Sequence, residues 1–176
     1  MIDGGLILTA AHVVAGSLSV SVTPSASATG EPMSAQVVAL DPANDLALLS
    51  VPGLSAPGLR LGSFVAGDTG AALIFRDGKV VEQPFTITRP VIVRILDIYE
   101  RDKVSREGYQ LEIEIDAGDS GAVLVGADGK VGAVLYAKSR GTEDRAWGAN
   151  MSAVPALIAA ASAGPLPVAP VGECAR

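Results

Sequence analysis

One histidine, one cysteine and one tryptophan stand among 176 residues, and aromatic residues make up only 4% of the chain. A lone histidine, His12, and a lone cysteine, Cys174, are too few for a His/Cys zinc site. Their separation in sequence, with Cys174 in a polar tail, also argues against a Cys–His nucleophile pair. Scarce aromatics leave the core to Val, Ala, Leu and Ile. Positive charge is in deficit: the net charge is −6 and the isoelectric point about 4.7. That balance speaks against a nucleic-acid partner, which requires a basic face. No run approaches about 18 uninterrupted apolar residues, so nothing in this segment reads as membrane-inserting. The nearest stretch, "VPALIAAASAGPLPVAPVG", is broken by Pro, Gly and Ser. A cationic leader followed by an apolar stretch is missing, as is a glycine-rich dinucleotide fingerprint between strand and helix.

What the chain does hold is 49% hydrophobic residues in many short runs, separated by 20 glycines and 11 prolines. The runs "GLIL", "LSVSV", "AQVVAL", "LALLSV", "GAALIF", "KVVEQPFTIT", "VIVRIL", "YQLEIEI", "AVLVG" and "KVGAVLYA" are strand-length and mostly rich in Val and Ile. "RDGK" at 76–79 and "ADGK" at 127–130 place Asp-Gly where a tight hairpin turn needs it. Only residues 153–163 read as a helix, with Ser152 as N-cap and Pro155 in the first turn. The charge-dense stretch 95–109 reads as a solvated loop between strands, and 21–33 as a flexible hairpin tip. Many strands with one terminal helix imply an all-β architecture. Residues 51–67 are the natural linker between two halves. This divides the chain into 1–62, 63–164 with the helix, and a tail at 165–176.

Three short stretches carry chemistry. "LTAAHVV" holds His12 among small and apolar residues. "NDLALL" opens an apolar strand on Asp45, and "GDSG" sets Ser120 in a tight loop before another strand. Each alone has a plainer reading: a satisfied histidine, a turn aspartate, a glycine-rich loop. Together they supply a serine, the base that can take its proton, and the carboxylate that orients the base. In that arrangement the backbone N–H groups of Gly118 and Ser120 converge on a developing oxyanion. Asp41 is a competing carboxylate, although Asp41-Pro42 has the look of a turn.

These motifs, in the order His, Asp, Ser, resemble those of the chymotrypsin-like (trypsin-fold) serine proteases. The texture is that of the bacterial Deg/HtrA-type branch and of the actinobacterial membrane-anchored, MarP-type enzymes. The resemblance extends over nearly the whole chain. It implies two packed six-stranded-type β-barrels with a short C-terminal helix. It also implies a serine endopeptidase with His12, Asp45 and Ser120 as its triad, acting on protein or peptide substrates without cofactor or metal. Leu135, Tyr136 and Ala137 fall where the family's substrate-binding strand follows the serine loop. The closing "GEC" resembles a tail whose cysteine pairs with one upstream, here Cys174, in a periplasmic or extracytoplasmic envelope protein with room for an upstream membrane anchor.

The sequence departs from the family pattern in places. Ala122 stands where the motif usually has a second glycine, which costs little if its φ is not positive. The chain begins almost at the histidine turn, so the first barrel is expected to lack its N-terminal strand and to expose an edge. Glu114 sits near the place of an acidic pocket floor, but the alternation of "LEIEI" puts it on the solvent face. The rival function is a catalytically silent trypsin-fold module that binds peptides.

Overall fold

The apolar runs become strands in chain order. The computed structural model describes residues 1–2, 4–24, 30–142, 144–162 and 169–174. Its first four strands are β1 (Ile7–Ala10), β2 (Val20–Val22), β3 (Met33–Asp41) and β4 (Leu46–Ser50). They form an antiparallel sheet in the order β1-β4-β3-β2. In β4, Leu46 and Leu48 face one cluster with Leu8, Val38 and Val134, while Ala47 and Leu49 face another with Val14, Val37 and Ile98. Burial on both faces explains why "LALL" is continuously apolar and does not alternate.

The next six strands are β5 (Thr69–Arg76), β6 (Lys79–Leu96), β7 (Lys103–Glu112), β8 (Val123–Gly126), β9 (Val131–Lys138) and β10 (Arg145–Asn150). They close into a barrel in the order β10-β7-β6-β5-β8-β9. Its interior is filled by Ile74, Ile87, Leu111, Leu124 and Leu135 around three of the few aromatic residues. Phe64 lies 5.5 Å from Phe85 and 5.6 Å from Tyr109, centroid to centroid, and its N–H donates to the Tyr109 hydroxyl at 3.0 Å. The first half differs from a six-stranded barrel: among the described residues it is an open sheet of four strands, with β1 and β2 at its edges.

The turn at 76–79 has Asp77 and Gly78 at φ +50° and +79°, the pair of left-handed residues that a two-residue hairpin requires. Two expectations about the neighbouring chain need correction. "KVVEQPFTIT" and "VIVRIL" are a single 18-residue strand, β6. Its prolines are tolerated because Pro84 pairs only with β5 and Pro90 only with β7, so each has one free side for its missing N–H. The charged stretch 95–109 is also no loop. The turn spans only the residues between the strands, where the Asp97 carboxylate accepts the N–H groups of Tyr99 and Arg101 at 3.0 and 2.9 Å. From Lys103 onward the chain pairs with β6. Lys103, Ser105 and Glu107 face solvent, and Arg106 faces inward.

Helix α1 (Val154–Ser162) buries Val154, Leu157 and Ala161 beside Leu46 and Leu48 of β4. Ser152 does not cap it: its hydroxyl and N–H both donate to Asn150 Oδ1, at 2.7 and 3.1 Å. The expected last helical residue, 163, lies outside the described residues, as do 25–29 of the expected hairpin tip. Residues 169–174 return to the first sheet. There Ala169 N–H donates to the Val37 carbonyl at 2.8 Å, and Gly16 N–H to the Val171 carbonyl at 3.0 Å. The two sheets share one core, in which Leu46 and Leu48 meet Val131, Val134 and Ala149.

Candidate active site

At the end of β1 the chain enters a short 3-10 turn, Ala11–Val13. Ala10 and Ala11 are fully buried, and their small side chains let the turn approach closely enough for Ala11 N–H to donate to the Asp45 carbonyl at 3.1 Å. His12 is left half-buried at the rim. Asp45 adopts φ +57° immediately before β4, a left-handed conformation that aspartate tolerates better than most residues. Its carboxylate holds His12 twice: Oδ1 accepts the His12 backbone N–H at 2.9 Å, and Oδ2 lies 2.8 Å from Nδ1. A carboxylate only accepts hydrogen bonds, so it favours the tautomer with the proton on Nδ1 and the lone pair on Nε2. Asp41 takes no part. Its carboxylate accepts the N–H groups of Ala43 and Asn44 at 3.1 and 3.0 Å and the Asn44 amide at 2.8 Å, the work of a turn residue.

The serine loop is held from beneath by Asp119, which is buried. Asp119 Oδ2 accepts the Asp116 N–H at 2.7 Å, and the Arg76 guanidinium grips both carboxylate oxygens. Its hydrogen bond to Asp119 is the main cause raising the Arg76 guanidinium above its ordinary value. Gly121 N–H donates to the Leu135 carbonyl at 2.8 Å, and Leu135 N–H to the Ala122 carbonyl at 2.9 Å, which pins the loop to β9. Gly118 and Gly121 have φ of +104° and +89°, whereas Ala122 is not in the left-handed region. The alanine therefore introduces no backbone strain. Among the described residues the amides of Gly118 and Ser120 and the Ser120 hydroxyl make no hydrogen bond.

The serine loop lies against the end of β1, the strand that leads into the histidine turn. A Cβ at Gly121 would fall 2.5 Å from Thr9 Oγ1 and 3.5 Å from the Ala10 nitrogen. A cavity of about 610 Å³ is lined by His12, Asp45, Ile95, Leu96, Arg106, Tyr136 and Ala137, and Ser120 is not among its lining residues. Tyr136 and Ala137 thus share a cavity with His12, while Leu135 is buried in the barrel with its backbone engaged by the serine loop. Burial pushes the Tyr136 phenol above its ordinary value, with Arg106 opposing. Glu114 is exposed and lines a different cleft, with Thr69 and Phe85.

Two supporting residues escape sequence reasoning. Arg76 ends β5 and Arg106 lies within β7, and their acidic partners are remote in sequence. Asp119 was visible in "GDSG", but nothing in the sequence pairs it with Arg76.

A family profile described as "Trypsin-like peptidase domain" matches residues 1–134. The chain belongs to the trypsin-like peptidase family. This peptidase domain is 34% identical over 135 residues to the serine protease Rv3671c of Mycobacterium tuberculosis (strain ATCC 25618 / H37Rv), covering 74% of the chain. The match spans only 33% of that relative's length. The crystal structure of the Rv3671c protease in its active form superimposes with a TM-score of 0.86 at 29% identity, covering 100% of this chain and 77% of that one. An inactive form of the same protease gives 0.75 at 28% identity, covering 93% and 82%. The HtrA-type protease AlgW with a decapeptide, at 24% identity and a TM-score of 0.76, shares the fold over 93% of this chain and 50% of its own.

Proposed function

We propose that this domain is a serine endopeptidase, with Ser120 as nucleophile, His12 as base and then acid, and Asp45 as the group that orients His12. The observation that carries this reading is the double grip of Asp45 on His12, at 2.9 and 2.8 Å, with the serine loop packed on the end of the strand that leads into His12. Ser120 Oγ attacks the peptide carbonyl while its proton passes to His12 Nε2. The resulting oxyanion accepts hydrogen bonds from the Gly118 and Ser120 amides, each such donor being worth about 2.7–4 kcal/mol in the transition state. The imidazolium returns its proton to the departing amine, which leaves an acyl-enzyme. Water then repeats the sequence and frees Ser120.

Tyr136 and Ala137 wall the cavity beside His12 and are the candidate contacts for a peptide backbone. Leu135 shapes that wall from behind. The substrate is a protein or peptide, and the setting is the periplasm or another part of the cell envelope, by analogy with the proteases this domain resembles. In the described residues no helix is long and apolar enough to cross a membrane. Cys174 is exposed and unpaired in this chain, which leaves its thiol available to a second cysteine. The rival reading, a silent peptide-binding module, gains nothing from Ala122, whose φ is ordinary.

A fluorophosphonate probe tests the proposal, because it modifies only an activated serine. The native chain is expected to label at Ser120, and Ser120→Ala and His12→Ala to abolish labelling while leaving the fold intact by circular dichroism. A folded native chain that fails to label but binds peptides would favour the silent module.

A further inference from the structure

We propose that Arg106 is a positioning residue for the His12–Asp45 pair, fixing the carboxylate in place and setting the charge that the imidazole senses. Its catalytic consequence rests on the protease reading above; its geometry does not. Arg106 is a buried cation of the barrel strand β7, with only 3% of its surface exposed. From there it crosses to the other sheet. Its Nε donates to the Ala43 carbonyl at 2.9 Å, one Nη lies 3.5 Å from Asp45 Oδ2, and its guanidinium carbon sits 4.7 Å from the centre of the Tyr136 ring. The oxygen it approaches is the one that faces His12 Nδ1. Arg106 therefore touches both sides of the turn that presents Asp45, and also the tyrosine that walls the cavity.

A buried arginine is costly to retain without a counter-charge, and here the counter-charge is the carboxylate that orients the base. The other charged groups near His12 differ in kind. Arg140 and Glu100 are exposed and Asp97 is half-exposed at the cavity wall, where solvent screens them. Asp41 is taken up by its turn, and on the serine-loop side Arg76 offsets the buried Asp119, while Asp116 is exposed and screened by solvent. Tyr136 stays protonated at neutral pH. Arg106 is thus the buried cation beside the pair. A cation there disfavours a second positive charge on the neighbouring imidazole. Removing the charge reverses the sign: imidazolium becomes easier to form, and the acid limb of activity moves to higher pH.

The test uses the fact that His12 is the only histidine, which makes its ring signals in NMR unambiguous. The midpoint of that titration is compared in the intact chain, Arg106→Met and Arg106→Lys. The methionine variant is expected to titrate about one pH unit higher or more, and the lysine variant to recover most of the difference. The acid limb of fluorophosphonate labelling should move by the same amount. If Arg106→Met does not fold, Arg106→Gln, which keeps a donor for the Ala43 carbonyl, is read in its place. An unmoved midpoint, with labelling reduced evenly at all pH values, overturns the proposal and leaves Arg106 a packing residue. A moved midpoint in a chain that never labels rejects the protease reading alone.

Discussion

At Asp45 one residue meets two demands that usually conflict. It must keep a left-handed backbone at φ +57° and place a carboxylate under an imidazole. Asparagine tolerates the same backbone, so Asp45→Asn separates the two. Its amide no longer fixes the Nδ1–H tautomer, and labelling of Ser120 is expected to fall by about 10⁴-fold. The same change strips Arg106 of its counter-charge, so the thermal midpoint should drop as well. Adding Arg106→Met should restore the midpoint and leave labelling lost; calorimetry and probe kinetics on the two chains check both halves. The pairing of His12 with Asp45 joins two of the motifs that the sequence singled out by residue type. The left-handed Asp45 and the inward Arg106 were not legible there. Both depend on contacts across the fold, and an arginine amid Lys103, Glu107 and Asp102 looks like one more solvated charge.

Between elements, the approach of the serine loop to β1 rests on Gly121. No side chain fits there: the dihedral is left-handed and Thr9 Oγ1 stands 2.5 Å from the place of a Cβ. Gly121→Ala is expected to cost about 2–3 kcal/mol in urea unfolding and to slow labelling by shifting Ser120 away from His12. Thr9→Ala in the same chain relieves the contact but not the dihedral, so it should recover only part of the stability. Full recovery would mean that crowding alone sets the glycine requirement. Strands were the most readable elements, since double burial and Asp-Gly turns leave marks in composition. The hairpin of β6 and β7 was the exception. Its sequence reads as two apolar runs parted at Arg89–Pro90, with its charges in a loop, yet one-sided pairing accommodates the prolines and outward alternation the charges.

Across the whole molecule, the halves are joined by more than the shared apolar core. Arg106 reaches from the barrel to the Asp45 turn, and Tyr99, between β6 and β7, donates its hydroxyl hydrogen bond to the Val171 carbonyl of the returning tail. That tail in turn accepts from Gly16 and donates to β3. Burial raises both the Tyr99 and the Tyr136 phenols above their ordinary value. The folded chain therefore keeps protons that the unfolded chain has lost once the pH passes about 10. When the native state binds more protons, stability falls as pH rises, and the loss continues through the raised folded values. Urea midpoints measured between about pH 8 and pH 11 should stay level at first and then decline. Tyr136→Phe should lessen the decline, because a ring that cannot ionise carries no such penalty. Tyr99→Phe should also remove the bond to Val171 and lower the midpoint at every pH. A decline unchanged in Tyr136→Phe would place the alkaline sensitivity elsewhere than behind the candidate active site.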